Sequence, residues 1–446
     1  MRKICLVLML IGISTSLFAQ QKLTLEESIS IALQSNSSLI KTQNNLETNK
    51  SQLKNAYGEL LPSLGAQAGW SWSRNEGQAT IPDQFGVPTT VSTSSESRNY
   101  TAGVGGGITL FDGLSNIANI SQKENSLESA KLSLSKLKQD IVYQTTDYYY
   151  TVLNSEALLK VREENVTYNE KFLETVQERN KLGAVPLADV YSQQVQLGNA
   201  ELLQIQAQND YETAKNSLLN YLSMDVLKEY SFVDPYAQLD TIDTDFYMKD
   251  FDNIQTMVNE ALQNRDDYKS QQLTLEAAQS GVTMARSGYL PSLTGNYSFG
   301  TSAGTVNELF NRRTWSLSAT LSIPIFSNFS TENSVQIAKT QELNAEEDLS
   351  ALQRQIKIQI KQGYLDLTAA KKSLDVATKN VRAAGEDRRI KQERYNLGSG
   401  TILEVLQSDR DYTDAQRNRI DQLYNFYRLK DRLANYLGKL DYKKFE

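Results

Sequence analysis

Leu61-Pro62-Ser63-Leu64-Gly65-Ala66-Gln67-Ala68-Gly69-Trp70-Ser71-Trp72-Ser73 alternates without a break from Leu64 onward. Leu64, Ala66, Ala68, Trp70 and Trp72 fall on one face; Gly65, Gln67, Gly69, Ser71 and Ser73 fall on the other. A period of two means a strand with one apolar face. The pattern returns from Tyr100, where Tyr100, Ala102, Val104, Ile108 and Leu110 oppose Thr101, Gly103, Gly105, Gly107 and Thr109. It appears twice more. Leu293, Tyr297 and Phe299 oppose Thr294, Asn296 and Ser298, and Trp315, Leu317, Ala319, Leu321 and Ile323 oppose Ser316, Ser318, Thr320 and Ser322.

The second face is small and polar rather than charged. Strands of roughly ten residues with aromatics near their ends and a polar inner face suit a transmembrane barrel. A soluble sandwich edge shares the period, but the remainder of the chain reads as helix and supplies no partner sheet. Four strands cannot close a barrel, and an open edge in lipid leaves backbone groups unpaired. The chain must therefore oligomerise; two copies give eight strands and three give twelve. Gly103, Gly105 and Gly107 are not a nucleotide loop, because they share one strand face and Ile108 stands where a dinucleotide fingerprint needs glycine.

The chain is a tandem duplication. Leu61-Pro62-Ser63-Leu64 recurs as Leu290-Pro291-Ser292-Leu293 at a separation of 229, and Ala32-Leu33-Gln34 recurs as Ala261-Leu262-Gln263 at the same separation. Glu178-Arg179, Leu182-Gly183 and Val190 recur as Glu393-Arg394, Leu397-Gly398 and Val405, now at 215. The first copy thus carries 14 extra residues between Leu64 and Glu178. The polar stretch from Arg74 to Asn99 holds them, and it reads as a loop. The copies span 20–224, with a β-hairpin over 62–111, and 253–438, with a β-hairpin over 291–326. An acidic linker, 225–252, joins them, and 439–446 is a tail. Each copy runs helix, strand, loop, strand, long helix, tight turn, helix.

From Leu114 to Leu182 there is neither glycine nor proline. A continuous helix of that length spans about 100 Å. Ile120, Leu127, Leu134 and Ile141 recur every seven residues, the seam of a coiled coil. Each long helix stops at a turn, Leu182-Gly183-Ala184-Val185-Pro186 and Leu397-Gly398-Ser399-Gly400-Thr401, where glycine ends one helix and proline or threonine opens the next. Two helical hairpins result, with tips near 183 and 398.

Arg2 and Lys3, the apolar run Ile4–Phe18 and Ala19 read as a signal peptide over residues 1–19, too short for a membrane span. The only cysteine, Cys5, lies within it, and the chain has no histidine. That removes thiol and imidazole metal sites and every His-dependent triad. No cofactor, metal or catalytic residue is expected. Without Arg2 and Lys3 the net charge falls from −7 to −9, and no basic block is present, so nucleic acid is not an expected partner. The acidic residues Asp240, Asp243 and Asp245 lack the glycine and terminal glutamate of a calcium loop and read as a solvated linker. The rival architecture is a periplasmic coiled-coil adaptor without a barrel. It accounts for the helices but not for four amphipathic strands.

The tandem copies, the Leu-Pro-Ser-Leu motifs at Leu61 and Leu290, and the Arg-x-x-Leu-Gly turns at Arg179 and Arg394 resemble TolC-type outer membrane efflux proteins over essentially the whole mature chain. The resemblance implies a mainly α fold with a transmembrane β part. Three copies share a barrel of twelve strands in the outer-membrane lipid, and their helices form a tunnel across the periplasm. It also implies a passive exit duct, not an enzyme, for an efflux or type I secretion system. An inner-membrane transporter supplies the energy, and a periplasmic adaptor docks at the tips formed by Arg179, Leu182, Gly183, Arg394, Leu397 and Gly398. Family members close the inner tunnel end with bonds between the two hairpins. Alignment on the tip glycines carries the gate onto Asp189 and Tyr395, and a pore-narrowing acid onto Glu404. Gly400 stands in place of a gate arginine and Gln407 in place of a second acid. Thr401 with Glu404 also makes a capping box, and Asp189 in a first helical turn is favoured by the helix dipole.

Overall fold

The computed structural model describes residues 21–235, 251 and 253–445. The expected signal peptide with Cys5, and Asp240, Asp243 and Asp245 of the acidic linker, lie outside the described residues. In the first copy, strand β1 (Gln21–Leu23) precedes helices α1 (Leu25–Ser35) and α2 (Ser37–Gly58). Strands β2 (Gly65–Pro82) and β3 (Pro88–Phe111) follow, then helices α3 (Ser115–Lys181) and α4 (Leu187–Tyr221) and strand β4 (Tyr230–Phe232). The second copy contains α5 (Ile254–Asn264), α6 (Asp266–Arg286), β5 (Ser292–Ala303), β6 (Thr314–Ser322), α7 (Ser330–Asn396) and α8 (Ile402–Tyr436).

The opening helix of each copy is broken in two. Asn36 and Arg265, 229 residues apart, both adopt extended backbone between the segments. At Asn36 the side-chain oxygen accepts the N–H groups of Ser38 at 3.0 Å and Leu39 at 3.3 Å, which starts α2. The helical hairpins are matched in length: α3 and α7 have 67 residues each, and α4 and α8 have 35 each. Every one of these helices is therefore displaced by 215 in its counterpart, and the 14 extra residues lie wholly within the first β-hairpin.

Those residues are strand, not loop. Strand β2 runs through Arg74 to Pro82 and β3 begins at Pro88, with only Asp83–Val87 turning the chain. The Asp83 carboxylate accepts the N–H groups of Phe85 at 2.8 Å and Val87 at 2.9 Å, and Gly86 takes a φ of 78°. The stretch read as a loop because it is polar. Its threonine, isoleucine and valine residues suit extended backbone, and once β2 and β3 are paired at the base their ladder continues outward. The insertion preserves register. Gly65 faces Gly105 in the first hairpin, and their counterparts Thr294 and Thr320 face each other in the second.

The four strands form one antiparallel sheet in the order β2-β3-β5-β6, so the two copies meet where β3 pairs with β5. The registers put Trp70 opposite Tyr100, Val104 opposite Phe299, Tyr297 opposite Leu317 and Phe299 opposite Trp315. One face is apolar across all four strands. Trp70, Trp72, Val104, Trp315, Leu317 and Leu321 are nevertheless exposed, Leu317 to 86%. Gly106 interrupts that face for a steric reason. A Cβ there would lie 1.7 Å from the Ser63 carbonyl, to which the Tyr297 hydroxyl donates at 2.5 Å. The outer edges of β2 and β6 have no neighbour within the sheet.

The chain packs as two compact units, and neither is a sequence copy. One comprises the sheet with residues 41–136 and 266–355; the other comprises the described residues of 1–40, 137–265 and 356–446. In the sheet-bearing unit, α3 and α6 are joined by serines: Ser129 and Ser133 both reach Ser270, at 2.8 and 2.9 Å. In the other unit the core holds the fully buried Tyr149, Tyr150, Phe426 and Tyr427. The Tyr149 hydroxyl lies 2.9 Å from the Leu23 carbonyl and 2.7 Å from the Val233 carbonyl, and accepts the Val233 N–H at 3.0 Å. It thereby ties the ends of the parallel pair β1 and β4 to α3. Among the described residues no helix is long and apolar enough to cross a membrane.

Candidate gate and docking tips

Both helical hairpins turn by the same device. After α3, Gly183 adopts a φ of 73°, Ala184 N–H donates to the Arg179 carbonyl at 2.8 Å, and Gly183 N–H donates to Asn180 at 2.9 Å. After α7, Gly398 adopts a φ of 76°, with Ser399 N–H on Arg394 at 2.9 Å and Gly398 N–H on Tyr395 at 3.0 Å. These are Schellman turns, which need a left-handed residue that glycine takes without strain. Each throws a leucine outward: Leu182 is 82% exposed and Leu397 is 83% exposed. In the second tip a Cβ on residue 400 would sit 3.1 Å from the Tyr395 nitrogen and 3.2 Å from the Arg394 Cβ. That crowding is the structural context for glycine where the family pattern has arginine.

The structure brings Asp189 and Tyr395 together although they are 206 residues apart in sequence. The Tyr395 hydroxyl donates to the Asp189 carboxylate at 3.2 Å. The ring is 4% exposed and packs edge-on against Phe172 at 5.7 Å, among Val176, Val190, Val405 and Leu406. Arg179 completes the arrangement. Its guanidinium lies over the Tyr395 ring at 5.0 Å and donates to the Tyr395 carbonyl at 3.0 Å. Burial, then the neighbouring Asp189 charge and the hydrogen bond to it, push the Tyr395 hydroxyl up to about 12. The phenol thus stays a donor wherever the carboxylate can accept. Asp189 sits in the first turn of α4, its N–H on the Pro186 carbonyl at 3.1 Å.

Glu404 is placed differently. Its carboxylate accepts the Thr401 N–H at 3.0 Å while the Thr401 hydroxyl accepts the Glu404 N–H at 3.3 Å, a reciprocal cap on α8. The second carboxylate oxygen is 3.8 Å from Arg394. The Thr401 N–H, helped by Arg394 and Lys391, holds its carboxyl below the usual range. Gln407 donates to Asp411 at 2.8 Å within α8, away from the Asp189–Tyr395 pair. Asp189, Tyr395 and Arg179 therefore form one cluster, and Glu404, Arg394 and Thr401 another.

A buried polar layer shared by α3, α4, α7 and α8 was not legible in the sequence. Asp409 of α8, 1% exposed, accepts Asn165 at 3.0 Å and Asn169 at 3.2 Å from α3, and Arg388 of α7 at 3.1 Å. Gln193 of α4 donates to the Asn169 side chain at 2.9 Å, so all four helices contribute. Arg388 is also held between Tyr168 at 4.6 Å and Tyr412 at 4.1 Å. No pattern marks these residues, because helices with two polar faces do not show which polar side chain is enclosed.

The comparisons with known proteins agree on one family. The model for outer membrane efflux proteins matches residues 28–223 and 257–439. Outer membrane protein TolC of Vibrio cholerae is 22% identical over 391 residues, covering 85% of this chain and 83% of the relative. Outer membrane protein TolC of Escherichia coli is 20% identical over 447 residues, covering 97% and 86%. The solved CmeC outer membrane channel of Campylobacter jejuni shares the fold with a TM-score of 0.79 at 18% identity, over 94% of this chain and 88% of that one. The chain therefore belongs to the outer membrane efflux protein family, and it is an outer-membrane exit duct reaching into the periplasm rather than an enzyme.

Proposed function

We propose that three copies assemble the duct, sharing one barrel of twelve strands and a helical tunnel. A periplasmic adaptor engages the tips, and an inner-membrane transporter drives the cargo. The observation that carries the assembly is the sheet itself. It offers the exposed apolar face that lipid requires, yet ends in two unpaired edges, β2 and β6. Unpaired edge groups are not tolerated in hydrocarbon, so β6 of one copy pairs with β2 of the next. Electron microscopy of the detergent-purified chain tests this. Three-fold particles with a helical extension of about 100 Å are expected from the helix rise; monomers or unbarrelled rods would overturn it.

Within the duct, Asp189 and Tyr395 form the latch that holds the two hairpin tips together, and Glu404 narrows the pore beside it. The tip residues Arg179, Leu182, Gly183, Arg394, Leu397 and Gly398 are the adaptor surface, with Leu182 and Leu397 as its apolar contacts. Arg179 also braces the latch, so adaptor engagement at the tip has a direct route to Tyr395. Single-channel conductance reads the latch. Asp189→Ala and Tyr395→Phe channels are expected to conduct more than the parent, and parental conductance in both would sink the assignment.

A further inference from the structure

The ribbon that the first copy adds beyond its sister hairpin reverses its polarity along its length. Below the Trp72–Arg98 pair, the even-numbered face of β2 is apolar and the odd-numbered face is small and polar. Above it, the even face becomes Arg74, Glu76, Gln78 and Thr80, paired with Glu96, Ser94, Ser92 and Thr90. Its charges are already engaged: Arg74 with Glu76 at 2.5 Å, Arg98 with Glu96 at 3.2 Å, and the Trp72 indole N–H with Glu96 at 2.6 Å. A face with these charges suits water rather than lipid. The odd face stays small and polar through Ser73–Ser97, Asn75–Ser95 and Gly77–Thr93, and turns apolar only beside the turn. Ala79 pairs with Val91 and Ile81 with Thr89; Ile81 and Val91 are exposed, as are Phe85 and Val87 in the turn.

This part of β3 has only β2 as a neighbour, because pairing with β5 stops at Tyr100 opposite Ala303. Beyond that point the β2–β3 ladder continues from Ser71–Asn99 to Pro82–Pro88, 12 pairs or about 40 Å of ribbon. The ribbon projects from the end of the sheet away from α2 and α3, since both of its strands begin or finish at those helices. A two-stranded ribbon in water is marginal on its own. Its apolar patch continues the small polar face, which in a closed barrel looks inward, toward the other copies.

We propose that the three ribbons of the assembled channel pack on one another through Ala79, Ile81 and Val91, forming a closure over the outer mouth. The occupant of each patch is the same patch on a neighbouring copy, and the inference rests on the three-copy reading above. The inward aim follows from strand alternation. The symmetry that joins β6 to β2 holds three such patches around one axis, and the polar outer face leaves only the inner face to be covered.

Disulfide trapping tests it. The probe is an oxidant applied to full-length protein in detergent or on cells, in a Cys5→Ser background. Ile81→Cys and Val91→Cys chains are expected to form one disulfide-linked dimer per trimer, since packed patches bring Cβ atoms into bonding range. Thr80→Cys, one residue away on the outer face, should remain monomeric on denaturing gels. Three-fold particles in which neither inner-face variant forms dimers would overturn the closure and leave the trimer standing. So would equal dimers from Ile81→Cys and Thr80→Cys. Particles without three-fold symmetry would overturn the assembly reading and take this inference with it.

Discussion

Tyr395 is the side chain on which the two tips converge, and its chemistry sets how the proposed latch responds to pH and mutation. The phenol is held near 12, above the ordinary value of about 10. A folded-state value raised in this way means that the donor is fully present below the unfolded value and is lost only as pH climbs through the folded one. Conductance of the parent channel should therefore show no step attributable to Tyr395 through neutral and mildly alkaline pH; a step near the ordinary phenol range would mean that the ring is not buried. Tyr395→Phe keeps the packing against Phe172 and removes only the bond to Asp189. It should raise conductance while shifting stability by about 1 kcal/mol, the net worth of one hydrogen bond. Ser223 makes the complementary case. It ends α4 with a φ of 58°, where its counterpart Gly438 ends α8 with 68°. A non-glycine residue there is strained by about 1–2 kcal/mol. Ser223→Gly should raise the thermal midpoint, and an unchanged or lower midpoint would show that the strain is already relieved.

Helices and strands of this chain each have a test that separates enclosure from exposure. Asp409 accepts from Asn165, Asn169 and Arg388, so Asp409→Leu removes three bonds from a closed layer, leaving Asn165 only Thr413 and Asn169 only the Asn165 carbonyl as acceptors. The expected loss is about 2–4 kcal/mol, below the top of the range for buried pairs because Arg388 keeps some contact with water. Asp409→Asn should lose less, since it preserves an acceptor; thermal unfolding of both variants checks the order. On β6 the contrast is between faces. Leu317 is almost fully exposed in the single chain, and in a soluble protein Leu317→Arg would be nearly neutral. In lipid the same change costs about 2–4 kcal/mol near the bilayer centre. Leu317→Arg is expected to reduce assembled channel in outer-membrane fractions, whereas Ser318→Arg on the opposite face should leave assembly intact and alter conductance. Equal yields of the two variants would mean that this face does not meet lipid.

Duplication organises the whole molecule without defining how it packs. The matched helical hairpins and the common register of the two β-hairpins show two copies built on one plan. The compact units cut across that plan, because each draws chain from both copies. The meeting of β3 with β5, and of Asp189 in α4 with Tyr395 in α7, joins first-copy to second-copy chain at the sheet and at the tips. Deleting either copy should therefore abolish folding of both units rather than leave half a channel. Limited proteolysis of such a truncation checks this, and a protease-resistant half would show that the copies fold independently.

What the sequence determined by itself is whatever depends on neighbours along the chain. The strand faces follow from a period of two, the helical spans from the absence of glycine and proline, and the tips from glycines that permit a left-handed turn. Asp189 and Tyr395 were reached only through a family resemblance, since nothing local connects residues 206 positions apart. The tertiary structure decided the rest. It enclosed Asp409 among polar partners from two other helices and required a glycine at 106 because Ser63 and Tyr297 close over it. It also drew Arg74 to Asn99 into strand because pairing at the base of the ribbon propagates to its end. Each of these rests on contacts between distant segments, and those exist only once the chain has folded.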